Sequence, residues 1–111
     1  MIRKFYPELY QDSPQAKEVS ELGGRVFEFT ELLVNQLGVT DVGAKLKGTA
    51  TYHDGCHGLR ELGIQDAPRK LLENVEGLSL VEMDEAQSCC GFGGTFAIKF
   101  PQISTAMTQV K

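Results

Sequence analysis

The sequence predicts an α/β fold in which short parallel strands alternate with helices. Two short segments rich in β-branched and apolar residues each run into a turn that contains cysteine. A segment with helical character follows each turn. Strand, turn, helix, strand, turn, helix is the order of βαβ units, which form parallel sheets. We therefore expect a parallel-type βαβ sheet with flanking helices.

The first half of the chain is expected to be helical. Ser13 and Pro14 are typical of a helix start, as N-cap and first-turn residue. Apolar residues then recur at intervals of three and four as far as Leu37, which predicts an amphipathic helix from about Ser13 to Leu37. Gly23 and Gly24 each weaken that helix by about 1 kcal/mol relative to Ala, so a break there stays open.

The strands are expected at residues 48–53 and 78–83. Between them, Asp66 as N-cap and Pro68 in the first turn predict a helix that continues to Gly77. The acidic run from Glu82 to Glu85 is interpreted as a solvated loop. The last two helices are expected at residues 95–100 and 101–111, the second beginning at a proline.

Composition excludes several classes of function. The net charge is −4 and the calculated pI is about 5.1, with no basic stripe, so we expect no nucleic-acid partner. No apolar run approaches the roughly 20 residues of a transmembrane helix, so we expect no membrane span. The N-terminus turns polar and acidic before a signal-peptide core could form. A cytoplasmic location is therefore expected.

Three cysteines are expected to meet at one edge of the sheet. Cys56 follows the first predicted strand, and Cys89 and Cys90 follow the second. The carboxyl ends of parallel strands share an edge, where ligands commonly bind. An odd number of cysteines argues against a disulfide framework, and clustered cysteines in a cytosolic chain more often serve metal or redox chemistry.

Glycines follow the adjacent thiols directly, in the segment SCCGFGG. Consecutive strand residues point to opposite faces, so the backbone must leave strand geometry for both thiols to serve one centre. Gly91, Gly93 and Gly94 permit positive φ, give room for a bulky inorganic group and offer N–H donors to sulfur. This pattern favours a polynuclear iron–sulfur centre over an isolated tetrahedral ion.

Other interpretations remain open. In one interpretation, Cys89 and Cys90 are simply small, buried apolar residues. Cys56 with His53 or His57 would suit zinc, or a cysteine nucleophile with a histidine base. A vicinal disulfide is a further alternative. Neither G-x-G-x-x-G nor a P-loop motif is present, so nucleotide binding has no support.

The sequence contains a lone cysteine, then a gap of 32 residues, and then Cys-Cys-Gly. This pattern resembles the cysteine-rich CCG domain. That domain occurs in heterodisulfide reductase, in the glycolate oxidase iron–sulfur subunit and in lactate-utilisation proteins. The segments GCHGLRELG, APRKLLENVEGL and SCCGFGGTFAIKFPQIS resemble the lactate-utilisation branch most. The resemblance covers the chain from Phe5 through Lys111.

The resemblance implies an iron–sulfur electron-transfer subunit of an oxidoreductase complex that oxidises L-lactate to pyruvate, with the other subunits of that complex as partners. It implies a cluster of the 4Fe-4S type in the intact parent, with Cys56, Cys89 and Cys90 at ligating positions. A structural zinc-binding or subunit-docking module is one alternative, and a heterodisulfide reductase-type subunit is another.

Members of this family continue with a Cys-x-x-Cys motif, which is absent from this sequence. We therefore expect residues 1–47 to be an N-terminal helical segment linking from a preceding repeat. Residues 48–111 would be a second, incomplete CCG repeat lacking its Cys-x-x-Cys unit. With three cysteines, the chain as it stands is expected to be empty or to bind zinc, with His57 as a substitute ligand.

Overall fold

The structure, a computed structural model, describes residues 1–111 and has the expected α/β architecture, with helices flanking a two-stranded parallel sheet. The chain forms a thin slab of 52 × 43 × 16 Å. Its radius of gyration is 17.5 Å, whereas a compact domain of this length has about 13 Å. Only seven of the 111 residues are buried, so much apolar side-chain surface faces outward.

The N-terminal segment forms a helical hairpin. Helix α1 (Ile2–Leu9) packs against α2 (Ala16–Gly23). Residues 1–47 were expected to be a helical segment, without separate bounds for α1. Ser13, expected as the N-cap of a long helix, instead lies in the turn between the two helices, where its Oγ accepts a hydrogen bond from the Gln15 N–H at 3.1 Å.

The single helix expected from Ser13 to Leu37 is wrong in extent. Helix α2 ends at the first of the two adjacent glycines, where helix propensity is lowest. After a non-helical stretch, α3 (Phe29–Glu31) begins and runs into a π-helical turn (Leu32–Gln36). Glu28 starts α3 with a reciprocal capping box, because its carboxylate and that of Glu31 each accept the other residue's backbone N–H.

The sheet consists of two parallel strands, as expected. Strand β1 (Lys45–Ala50) pairs with β2 (Glu76–Leu80). Both strands begin and end earlier than the sequence suggested. The last bond of the ladder runs from the Val81 N–H to the Ala50 carbonyl at 2.9 Å, and beyond it both segments turn out of the sheet.

One irregularity interrupts the pairing of the two strands. Lys45 lies opposite Glu76 and Gly48 lies opposite Leu78, so β1 holds one extra residue between these pairs. Gly77 faces this bulge with φ +84°. A Cβ atom at Gly77 would lie 3.4 Å from backbone atoms of β1, and the glycine therefore accommodates the bulge.

The connection between the strands contains a π-helical turn (His57–Glu61), which the sequence did not indicate, and α4 (Asp66–Glu73). Helix α4 ends before the expected Gly77 because that residue belongs to β2. After β2, the expected helices are confirmed as α5 (Thr95–Lys99) and α6 (Pro101–Val110). None of these helices has both the length and the apolar character needed to cross a bilayer.

Candidate functional site

The segments that leave the two strands meet at the carboxyl edge of the sheet. The Asp54 N–H donates to the Ala86 carbonyl at 3.1 Å. The His53 Nδ1 donates to the same carbonyl at 2.9 Å. These bonds fix the turn that carries Cys56 against the segment that carries Cys89, as the parallel order predicted.

Cys56 lies at the start of the π-helical turn, with helical backbone angles of φ −49° and ψ −43°. The turn is held by the Leu59 N–H, which donates to the Gly55 carbonyl at 2.9 Å. The Ile64 N–H donates to the Gly58 carbonyl, also at 2.9 Å, and Ile64 is one of the few buried apolar side chains. A buried anchor therefore follows the residue that presents the first thiol.

The Cys-Cys-Gly turn rests on helix α6. The buried Ser104 hydroxyl donates to the Gly91 carbonyl at 2.9 Å, and the Thr108 hydroxyl lies 2.9 Å from the Cys90 carbonyl. Gly91 has φ +78° and Gly94 has φ +49°, as glycine permits. Gly93 lies outside this left-handed region.

Cys56, Cys89 and Cys90, named here the thiol cluster, are all half-buried free cysteines. The Cys56 and Cys89 thiols are close enough for each to shift the pKa of the other. Burial raises the pKa of Cys56, and Cys89 raises it further. The Gly91 N–H lowers the pKa of Cys89 most, followed by Cys56. The pair thus combines a proton-donating Cys56 with a thiolate-prone Cys89.

Two basic side chains act on the thiol cluster. Arg60, in the π-helical turn, and Lys111 both lower the pKa of Cys89 through their positive charge. The Lys111 ammonium also donates to the backbone carbonyls of Glu85 and of Ser88, the latter at 3.3 Å. Positive charge therefore favours the thiolate that soft metals bind.

The donor chemistry fits a thiolate-ligated group, with an incomplete ligand set. Cys90 adds the smallest of the contributions that raise the pKa of Cys56. Its own Sγ, however, contacts the Phe92 carbonyl at 3.8 Å. No group of three or more His, Cys, Asp or Glu side chains is arranged to hold a single metal ion. Three soft sulfur donors suit iron–sulfur or zinc chemistry with a further ligand.

Neither histidine hydrogen-bonds to a thiol. His57 stacks on Phe5 of α1 with ring centroids 6.0 Å apart, and its Nε2 lies 3.5 Å from the N-terminal nitrogen of Met1. His53 uses its Nδ1 on the Ala86 carbonyl. The structure therefore gives neither a histidine hydrogen-bonded to the thiol cluster nor a cysteine–histidine nucleophile pair.

Sequence reasoning missed an ionic cluster beside the thiols. Arg69 of α4 makes two hydrogen bonds of 2.8 Å to the buried carboxylate of Asp54. It makes two more, of 2.6 and 3.0 Å, to Glu82. We name these three residues the carboxylate clamp. Glu82 is thus not part of a merely solvated loop, and the one sequence signal was an acidic residue in the segment that follows each strand.

An apolar groove of about 300 Å³ lies beside the second thiol. It is lined by Cys89 and by four α6 side chains, Ile103, Ala106, Met107 and Val110. Val110 is 86% exposed and Ile103 is 54% exposed. The face of α6 next to the thiol cluster is therefore apolar and open.

Comparison with known proteins places the thiol cluster in a recognised domain. Residues 50–111 match the family described as the CCG cysteine-rich domain. This match covers Cys56, both adjacent cysteines and the helices that follow them. No solved structure matches the chain. A cysteine-rich domain of this kind points to binding of a metal or cluster.

Several curated proteins named lactate utilization protein A are similar to nearly the whole chain. The protein from Oceanobacillus iheyensis is 46% identical over 97% of this chain and 45% of its own length. The protein from Lysinibacillus sphaericus is 49% identical over 97% of this chain and 48% of its own length. The protein from an Exiguobacterium species is 47% identical over 100% of this chain and 46% of its own length. The chain thus spans about half the length of these relatives. By the domain match and this similarity, the chain belongs to the cysteine-rich CCG domain family.

Proposed function

We propose that the thiol cluster contributes ligands to an iron–sulfur centre in an electron-transfer subunit of an oxidoreductase. The observation that carries the proposal is the joining of the two cysteine-bearing segments, inside the matched domain, by the hydrogen bond from the Asp54 N–H to the Ala86 carbonyl at 3.1 Å. Half-buried thiols brought together from distant parts of a chain, without a disulfide, are typical of a metal site.

Cys56, Cys89 and Cys90 would hold the cluster through their thiolates. The cluster, when bound, would supply one-electron transfer. A three-sulfur set leaves one position for a further donor, such as the Cys-x-x-Cys unit that the family resemblance implies.

The protein's own groups would prepare this site. The Gly91 N–H, which lowers the pKa of Cys89, would stabilise its thiolate form. Arg60 and Lys111 would offset part of the negative charge that builds up when three thiols lose their protons. The glycine turn would allow the backbone to approach a bulky group without a Cβ in the way.

We further propose that the intact protein works in L-lactate oxidation to pyruvate, together with other subunits of a lactate-oxidising complex. The support is the name shared by relatives that are 46–49% identical to the chain. The thin, apolar-surfaced slab is in keeping with a polypeptide that is covered by further protein in its working assembly.

The test is anaerobic purification of the intact protein followed by iron and sulfide analysis and EPR spectroscopy. We expect stoichiometric iron and sulfide, with a marked loss of both in Cys89→Ser and Cys90→Ser. Thr105→Ala, a change at an exposed position of α6, is the matched control and should keep its iron. Reduction of the iron–sulfur centre by L-lactate, measured in the presence of the partner subunits, tests whether L-lactate is the substrate.

Two results would overturn the proposal. One is a protein without iron whose cysteine variants keep full lactate-dependent activity. The other is stoichiometric zinc in anaerobically purified protein with no visible charge-transfer absorption, which would favour a structural zinc module.

A further inference from the structure

Arg69 occupies the point between the two segments that carry the cysteines. It lies on α4, the helix that connects β1 to β2. Asp54 precedes Cys56 by two residues, and Glu82 lies on the segment that leads to Cys89. One guanidinium therefore bonds to both segments at once.

Every N–H of this guanidinium has an acceptor. Four bonds go to the carboxylates of Asp54 and Glu82, and the fifth goes from Nη1 to the Gln65 carbonyl at 2.8 Å. Arginine has five such donors in a fixed plane, and all five are used. The Tyr52 ring lies 5.1 Å from the guanidinium carbon and completes the surround.

Burial makes the clamp rigid. The Asp54 side chain is fully buried, and that of Arg69 is only 15% exposed. A buried carboxylate is costly without a partner, so Asp54 cannot leave Arg69 without strong destabilisation. Glu82 is half exposed and completes the bridge from the other side. The turn before Cys56 thus has one favoured position relative to the segment after β2.

We propose that Arg69 is a positioning residue, which through Asp54 and Glu82 sets the separation of the Cys56 and Cys89 sulfurs. The role in cluster binding rests on the proposed function, whereas the effect on sulfur separation does not. Lysine cannot replace arginine here, because one ammonium lacks the planar fork that serves two carboxylates.

The experiment uses the intact protein and four variants: Arg69→Ala, Arg69→Lys, Glu82→Gln and, as matched control, Lys70→Ala. Lys70 is exposed on the same helix and forms no ion pair. Iron is removed with a chelator, and diamide then oxidises the thiols. Formation of the Cys56–Cys89 disulfide transfers two electrons and two protons to diamide, and its rate is followed by peptide mass spectrometry.

We expect disulfide formation to be about tenfold slower in Arg69→Ala and Arg69→Lys, to be slowed less in Glu82→Gln, and to be unchanged in Lys70→Ala. The thermal midpoint of Glu82→Gln should stay near that of the unchanged protein. Disulfide formation at the unchanged rate in Arg69→Lys overturns the proposal. If the Arg69 variants do not fold, Glu82→Gln is the deciding variant. Disulfide formation at the unchanged rate in Glu82→Gln then overturns the proposal.

A second measurement separates this proposal from the proposed function. In protein that holds iron, the loss of iron to a chelator should be about tenfold faster in Arg69→Lys than without the change. Protein without iron but with the expected change in disulfide rate would refute the function and keep the positioning role. Protein that binds iron but shows no change in disulfide rate would refute the positioning role and keep the proposed function.

Discussion

Gly91 lies so close to Ser104 that a Cβ atom on the glycine would clash with the Ser104 carbonyl oxygen. The same atom would lie 3.1 Å from the side chains of Met107 and Thr108. Gly91 also has φ +78°, which L-residues with a side chain rarely adopt. Two independent constraints therefore require glycine directly after the cysteine pair.

Gly91→Ala is expected to lower the free energy of unfolding by roughly 2–3 kcal/mol, through backbone strain and the clash with α6. Urea unfolding followed by circular dichroism measures the change. Gly93→Ala is the matched control, because its Cβ would meet only the Phe96 Cβ at an ordinary 3.6 Å. Equal stability of the two variants would contradict the close packing of Gly91 against α6.

Ser104→Ala is expected to destabilise the protein by about 1 kcal/mol and to loosen the Cys-Cys-Gly turn. The buried Ser104 hydroxyl donates to the Gly91 carbonyl, which would lose its partner. Hydrogen exchange of the Gly91 and Phe92 amides should become faster, while Thr105→Ala should leave it unchanged. Unchanged exchange in Ser104→Ala would mean that α6 does not hold the turn.

The meeting of the cysteines at one sheet edge could be predicted because it depends only on chain order. Each cysteine follows a strand, and parallel strands end at the same edge. Positive φ at Gly91 could be expected from the residue type alone. The contact of Gly91 with Ser104 could not, since it depends on how closely α6 packs against the turn.

Contacts between side chains that are far apart in the sequence could not be predicted from it. Arg69 has no sequence signal that distinguishes it from a surface arginine, and its two carboxylate partners become neighbours only when β1 and β2 pair. His57 was a candidate ligand by proximity to Cys56, yet packing against α1 determines where its ring lies. Propensity located the break after Gly23 but not the capping box that begins α3.

Arg3→Ala is expected to release the N-terminal hairpin at a cost of about 1 kcal/mol. The Arg3 Nη1 donates to both carboxylate oxygens of Glu31 at 2.9 and 2.7 Å, and both side chains are largely buried. Hydrogen exchange in α1 should therefore accelerate. Lys4→Ala, an exposed neighbour without an ion pair, is the control, and equal exchange in both variants would argue against the bridge.

Cys89 is expected to react with iodoacetamide before Cys56 as the pH rises, in protein from which any metal has been removed. The Gly91 N–H and then the Cys56 thiol lower the pKa of Cys89, whereas burial raises the pKa of Cys56. A lowered pKa means that the thiolate forms at lower pH, and the thiolate is the nucleophile. Alkylation rates measured by peptide mass spectrometry between neutral and alkaline pH give the order.

Arg60→Gln tests the electrostatic part of this arrangement. Its positive charge favours the Cys89 thiolate, so its removal should raise the pKa of Cys89 and shift the alkylation profile to higher pH. Lys47→Gln removes the same charge from β1 and should leave the profile in place. High salt should shrink the total lowering of the Cys89 pKa only in part, because the Gly91 N–H is the larger cause and is not screened. Cys56 reacting first at every pH would contradict the assigned direction of proton donation.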